Sequence, residues 1–131
     1  MANEITVSAA LLYSDLTGTR QSMQVTDLGV DSAGQRVVRL KQNVGTTPEA
    51  IVLGDLTSLG YAIFVNRDPT NYIELLTGVG GVAFAKLPPR DATKPGDQSH
   101  VALFHFGSGV TAPYARANTA ACDLDVFIIE A

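Results

Sequence analysis

Gly60-Tyr61-Ala62-Ile63-Phe64-Val65-Asn66-Arg67-Asp68-Pro69-Thr70-Asn71-Tyr72-Ile73-Glu74-Leu75-Leu76-Thr77-Gly78 reads as strand, tight turn, strand. Tyr61 to Val65 and Tyr72 to Leu76 are runs of β-branched, aromatic and aliphatic residues, the composition that fits a pleated surface. Between them, Pro69 pre-sets the φ required at the second position of a type I turn, and the Asp68 carboxylate can accept from the backbone ahead of it. The stretch therefore predicts a β-hairpin, with Asn66, Asp68, Pro69 and Asn71 as its structural turn. In its first strand Tyr61, Ile63 and Val65 share one face, while Ala62 and Phe64 fill the other. A strand that is apolar on both faces is expected to be covered on both.

Working outward, the same period of two recurs along the chain. Glu4 to Tyr13 alternates, with Ile5, Val7, Ala9, Leu11 and Tyr13 on one side. After turn residues Asp15 to Gly18, Arg20 to Thr26 sets Met23 and Val25 against Ser22, Gln24 and Thr26, and Asp27, Gly29 and Asp31-Ser32-Ala33-Gly34 are expected to break it. Arg36 to Val44 follows, with Val38 and Leu40 inward and Arg39 and Lys41 outward. Further strands are expected at Glu49 to Leu53, Val82 to Leu87, His100 to Phe106, Tyr114 to Ala117 and Cys122 to Glu130. Pro88-Pro89 ends one of them, since proline cannot donate to a ladder. Lys94-Pro95-Gly96-Asp97 supplies another turn within the polar loop Arg90 to Ser99.

About eight to ten short strands at roughly ten-residue spacing, with no competing amphipathic helix, predict an all-β protein. The expected fold is a single-domain β-sandwich over residues 1–131, jelly-roll-like in topology. A chain of 131 residues is long enough to bury one core without disulfides.

Composition narrows function mainly by exclusion. The formal charge is −4 with no basic run, so nucleic acid is not an expected partner. The N-terminus lacks a charged-then-apolar leader pattern, and no apolar run approaches membrane-spanning length. The expectation is a soluble chain made in the cytoplasm, with no membrane partner. Cys122 is the single cysteine, which rules out an intrachain disulfide and reads as a small buried hydrophobe.

No residue set reads as an active site, a cofactor site or a metal site. His100 and His105 lie five residues apart on one expected strand and point to opposite faces, so they cannot share a metal. Asp123 and Asp125 share a strand face, but neither they nor Asp91 and Asp97 have the spacing of a loop cation site, and solvated surface carboxylates are the simpler reading. Gly78-Val79-Gly80-Gly81 lacks the Lys-Ser/Thr and the helix of a phosphate cradle and reads as a flexible loop. What is left over is apolar surface. Hydrophobic residues make up 46% of the chain and charged residues 17%, and strands 61–65, 100–106 and 122–130 are apolar on both faces. Covering strands account for part of this surplus. The alternative is an interface between copies, with Tyr61, Ile63, Phe104, Phe106, Phe127 and Ile129 as its candidate residues.

Asn66-Arg67-Asp68-Pro69-Thr70-Asn71-Tyr72-Ile73-Glu74 resembles the Asn-x-Asp-Pro-Thr-Asn-Tyr-Val hairpin of small structural proteins of tailed-phage virions. The resemblance takes in the preceding Gly60-Tyr61 strand, then Pro95-Gly96-Asp97, Val101-Ala102-Leu103-Phe104, Tyr114-Ala115-Arg116-Ala117 and the final strand Val126 to Glu130, so that it spans residues 51–131. It implies a non-enzymatic virion protein without cofactors, first of all a capsid decoration (cement) protein. Such a protein would work as a homo-oligomer, a trimer, bound to the major capsid protein on the shell exterior, with polar loops such as Arg90 to Ser99 or the N-terminal arm touching the capsid. A receptor- or carbohydrate-binding module of a head fibre or tail tip, with Tyr61, Tyr72 or Tyr114 as a stacking platform, and a tail or connector subunit are the alternatives the resemblance leaves open.

Overall fold

The computed structural model describes residues 5–14, 16–30, 36–91, 93, 99–107 and 109–131. The expected turns at Asp31–Gly34 and Lys94–Asp97, together with Asp15 and the first four residues, lie outside the described residues. Among the described residues there are ten strands and no helix: β1 (Ile5–Ser14), β2 (Arg20–Val30), β3 (Val37–Val44), β4 (Glu49–Ala50), β5 (Tyr61–Asn66), β6 (Ile73–Leu76), β7 (Ala83–Leu87), β8 (His100–His105), β9 (Tyr114–Ala117) and β10 (Cys122–Ile129). They divide into two compact units, residues 1–33 and 34–131. The expected sandwich is thus built from the second unit, and the first contributes a separate two-stranded ribbon.

In the sandwich, one four-stranded sheet has the order β3-β10-β5-β8 and the other β4-β9-β6-β7. All pairings are antiparallel. The pairs β3·β10, β4·β9, β5·β8 and β6·β7 are nested, so the first four strands run back along the last four as one long folded ribbon. The innermost pair closes through Thr77–Val82, where the Gly81 amide donates to the Gly78 carbonyl at 2.9 Å and the Thr77 amide to the Val82 carbonyl at 3.1 Å. The glycine run at 78–81 is therefore a tight hairpin turn. A Cβ on Gly81 would press into the Thr77 hydroxyl and come within 2.7 Å of the Gly78 nitrogen, so the turn needs glycine there.

Period-two alternation fixes the interior. Leu124, Val126 and Ile128 of β10 and Ala62 and Phe64 of β5 point inward from one sheet, and Ile73 and Leu75 of β6 with Ala115 and Ala117 of β9 from the other. Phe104 and Phe106 join this core. Phe104 stacks on Phe64 at 5.7 Å between ring centroids and meets Phe106 edge-on at 4.8 Å. A register shift on β7, where Phe84 is the extra residue opposite Leu75 and Leu76, kinks the β6·β7 pair, and both leucines are buried.

The hairpin expected at residues 60–78 is not one. β5 and β6 belong to different sheets, and the segment 67–72 carries the chain across the sandwich. Asp-Pro-Thr-Asn chemistry bends the chain equally well in either setting. What decides is long-range pairing: β5 pairs with β8 and β10, and β6 with β7 and β9, which sets Phe64 and Ile73 in opposite layers of one core. Coverage of β5 on both faces is also not found, because Ile63 is 37% exposed.

Candidate functional site

The motif residues Asn66–Asn71 build a knot of hydrogen bonds where the chain changes sheets. Asn66 ends β5 pointing inward and is completely buried. Its Nδ2 donates to the carbonyls of Asn71 and Leu87, each at 2.9 Å, and of Pro88 at 3.1 Å, while its Oδ1 accepts from the Asp68 amide at 3.0 Å. One carboxamide thereby serves two stretches of backbone, the crossing at 68–71 and the end of β7 at 87–88. Asp68 Oδ1 accepts from the amides of Thr70 at 2.8 Å and Asn71 at 2.6 Å, the Asx-type turn that Pro69 favours. Asn71 is buried too, and its Oδ1 accepts from the Thr119 hydroxyl at 2.7 Å. The Asn118 side chain receives the Tyr72 amide at 3.1 Å, and the Arg90 amide donates to the Asp68 carbonyl at 2.7 Å. These polar groups face backbone. They join the β5–β6 crossing to the end of β7 and to the β9–β10 connection, which is work of a structural kind.

Cys122 is buried, and burial together with the carboxylates of Asp68 and Asp123 pushes its thiol up to about 11. At neutral pH it stays protonated, so it is no nucleophile.

The outward face of sheet β3-β10-β5-β8 is the other candidate. Register sets Arg39, Phe127, Ile63 and Leu103 in one row and Lys41, Asp125, Val65 and Val101 in the next. A groove of about 640 Å³ runs over Arg39, Ile63, Val65, Arg67, Asp125 and Phe127. At one side the Arg67 Nε donates to Asp125 Oδ2 at 2.8 Å, with Lys41 Nζ 3.9 Å from the other carboxylate oxygen. Apolar side chains occupy the rest, with Val37, Ile63, Val101 and Leu103 exposed. Tyr61 and His105 meet edge-on at 4.9 Å, and His105 Nδ1 lies 2.7 Å from the Phe106 carbonyl oxygen.

Of the six candidate interface residues, Tyr61, Ile63, Phe127 and Ile129 lie on this outward face. Phe104 and Phe106 do not, because their phase on β8 and the chain just after it directs them into the aromatic cluster of the core. Asp123 accepts from the Asn43 carboxamide at 3.1 Å, and Asp91 Oδ1 from the Thr93 amide and hydroxyl. Asp97 lies outside the described residues. The tyrosines do not converge on one platform. Tyr61 belongs to one sheet. On the other, Lys86 Nζ sits 3.9 Å over the Tyr72 ring, and Tyr114 pairs with Leu76 at the far end of β6. Among the described residues no group of three or more His, Cys, Asp or Glu could hold a metal ion, and no helix is long and apolar enough to cross a membrane.

Gln42 is a polar anchor that the sequence reading passed over. It sits in an inward slot of β3, where its Nε2 donates to Glu49 Oε1 at 3.1 Å and to the Ala50 carbonyl at 2.9 Å, and its Oε1 accepts from the Val52 amide at 2.9 Å. The signal was its phase. After Val38 and Leu40 the next inward position holds an amide, which marks backbone in need of a partner.

No family model, curated protein or solved structure matches this chain.

Proposed function

We propose that this chain is a non-enzymatic structural protein of a tailed-phage virion, a capsid decoration protein that binds the outer shell as a small homo-oligomer, a trimer, and stabilises it. The observation that carries the reading is the set of exposed apolar residues Val37, Ile63, Val101 and Leu103 on the outward sheet face. Apolar surface on a rigid sheet favours assembly contacts over chemistry. The motif that resembles phage virion proteins supports it as well, since the side chains of Asn66, Asp68 and Asn71 serve the fold. The nested strand order supports reading the sandwich as a jelly roll, an architecture common in capsid and lectin domains.

The mechanism is mechanical. A protein that binds across neighbouring capsomers finds its full contact surface only on the mature lattice, so its binding stabilises that state by linkage. Repeated modest contacts, each copy holding more than one site, add through effective concentration. The dispersed tyrosines give a stacking platform for sugars no support.

Copy number on purified particles, counted by quantitative mass spectrometry against the major capsid protein, tests the reading. Hundreds of copies per particle are expected. A handful would overturn decoration in favour of a fibre or connector subunit, and absence from particles would overturn the virion reading as a whole.

A further inference from the structure

We infer that the β1–β2 ribbon is a self-association element, packing its apolar face against the same face of a second copy of this chain. The inference stands on the ribbon alone and does not depend on the virion reading.

The two strands pair antiparallel from Ile5 opposite Val30 to Ser14 opposite Arg20. On β1 the odd positions Ile5, Val7, Ala9, Leu11 and Tyr13 share a face. On β2 the apolar residues change parity, from Met23 and Val25 to Leu28 and Val30. A regular strand would send the two pairs to opposite sides. The register shift between Val7 and Ala9 sets Thr26 and Asp27 together opposite Ser8, and it restores the phase. Asp27 takes φ 53°, its amide donating to Ser8 Oγ at 3.0 Å. Aspartate tolerates this left-handed conformation better than most residues. Val7 thus faces Leu28, Ala9 faces Val25 and Leu11 faces Met23 along one continuous side. The bulge has one evident effect, which is to keep that side apolar apart from Gln21, opposite Tyr13 at its end.

This side is open. Leu11 and Met23 are each 78% exposed and Tyr13 61%, and Val25 and Leu28 are exposed as well. An isolated two-stranded sheet is marginal in water, whereas a two-layer stack of such sheets has a core. The open part of the face is about 27 Å long and about 10 Å wide, and with its side-chain relief it offers roughly 500 Å² per copy. Two copies face to face then bury roughly 1,000 Å², the size at which specific interfaces begin. No described residue on it is charged, since Arg20 and Asp27 are off that side, so nothing opposes its meeting an identical face. A partner chosen by charge would find nothing to read.

Sedimentation velocity of the full chain at micromolar concentration tests this, using wild type, Leu11→Lys, Leu12→Lys on the opposite side of the same strand, and Ile63→Lys on the outward sheet. The expected result is an oligomer for wild type, Leu12→Lys and Ile63→Lys, and a shift to monomer for Leu11→Lys with an unchanged far-ultraviolet circular dichroism spectrum. A monomeric wild type would overturn the inference while leaving particle copy number to judge the virion reading separately. An oligomer that survives Leu11→Lys, or that only Ile63→Lys dissolves, would also overturn it, the latter placing the contact on the sheet. Loss of the oligomer in Leu12→Lys as well would mean that general disruption of the ribbon is responsible, and would overturn the face assignment.

Discussion

Replacing Asn66 with alanine removes one side chain and strands four backbone groups. The carbonyls of Asn71, Leu87 and Pro88 lose their donor, and the Asp68 amide loses its acceptor. The site is completely buried, so water cannot replace these partners without opening the crossing between the sheets. A buried polar group left unmade costs about 1–3 kcal/mol. Some of the four will relax toward other partners at the rim, which puts the net loss at about 3–5 kcal/mol, a large part of the stability of an ordinary domain. Urea unfolding followed by circular dichroism reads it directly. With an m-value of about 1.5 kcal/mol/M for a unit of this size, the midpoint falls by roughly 2–3 M at constant m. Asn66→Asp sharpens the test, because it keeps the shape and replaces the donors by a carboxylate aimed at three carbonyl oxygens. It should cost at least as much as alanine at neutral pH and recover in part as acid restores one donor. A midpoint shift in Asn66→Ala worth less than about 1 kcal/mol, or a wild-type-like Asn66→Asp at neutral pH, would refute the account of the crossing.

Other perturbations probe the core, the surface and the thiol. Phe64→Ala empties the space between the sheets where three other phenylalanines pack, and should cost about 3–5 kcal/mol in the same assay. Asp125→Asn breaks the contacts to Arg67 and Lys41, but those cations are 53% and 60% exposed, so the loss should stay under about 1 kcal/mol and shrink further in added salt. The thiol of Cys122 rises from 9.0 to about 11 in the fold. A raised acid binds its proton more tightly when folded, so its contribution is complete below pH 9 and is lost as the pH climbs toward 11, about 3 kcal/mol in all. Cys122→Ala should flatten that alkaline slope, and the wild-type thiol should react with a disulfide reagent at neutral pH only at the rate of unfolding.

The strands were legible because period-two alternation is local. Each of the ten begins or ends within a few residues of where Gly, Pro and Asp clusters punctuate the chain. Which sheet a strand joins is not local. Tyr61–Val65 and Tyr72–Leu76 carry the same signals whether they pair with each other or arch across a core, and only the long-range pairing of β5 with β8 and β10 decides. Phe104 and Phe106 were misplaced for the same reason, since a strand apolar on both sides does not declare its inward side. Asp27 and Gly29 looked like the end of a strand that runs on to Val30, because a bulge and a break use the same residues. The buried amides of Asn66 and Gln42 were visible only as polar letters at inward phase, and what they bind is backbone that only the finished fold brings near.

The nested order of the sandwich also sets a timetable. The turn at 77–82 joins β6 to β7 with little loop entropy, and each further pair closes a longer loop around the one before it. β3 and β5 flank β10, so neither can complete its sheet before the tenth strand is available. On a ribosome β3 and the β5·β8 pair must therefore wait for β10 with their sheet incomplete, exposed to aggregation and to chaperones. Folding dominated by such distant pairings is slow, on the millisecond-to-second scale. The chain's most vulnerable moment comes just before Cys122 to Ile129 slots into the middle of its sheet.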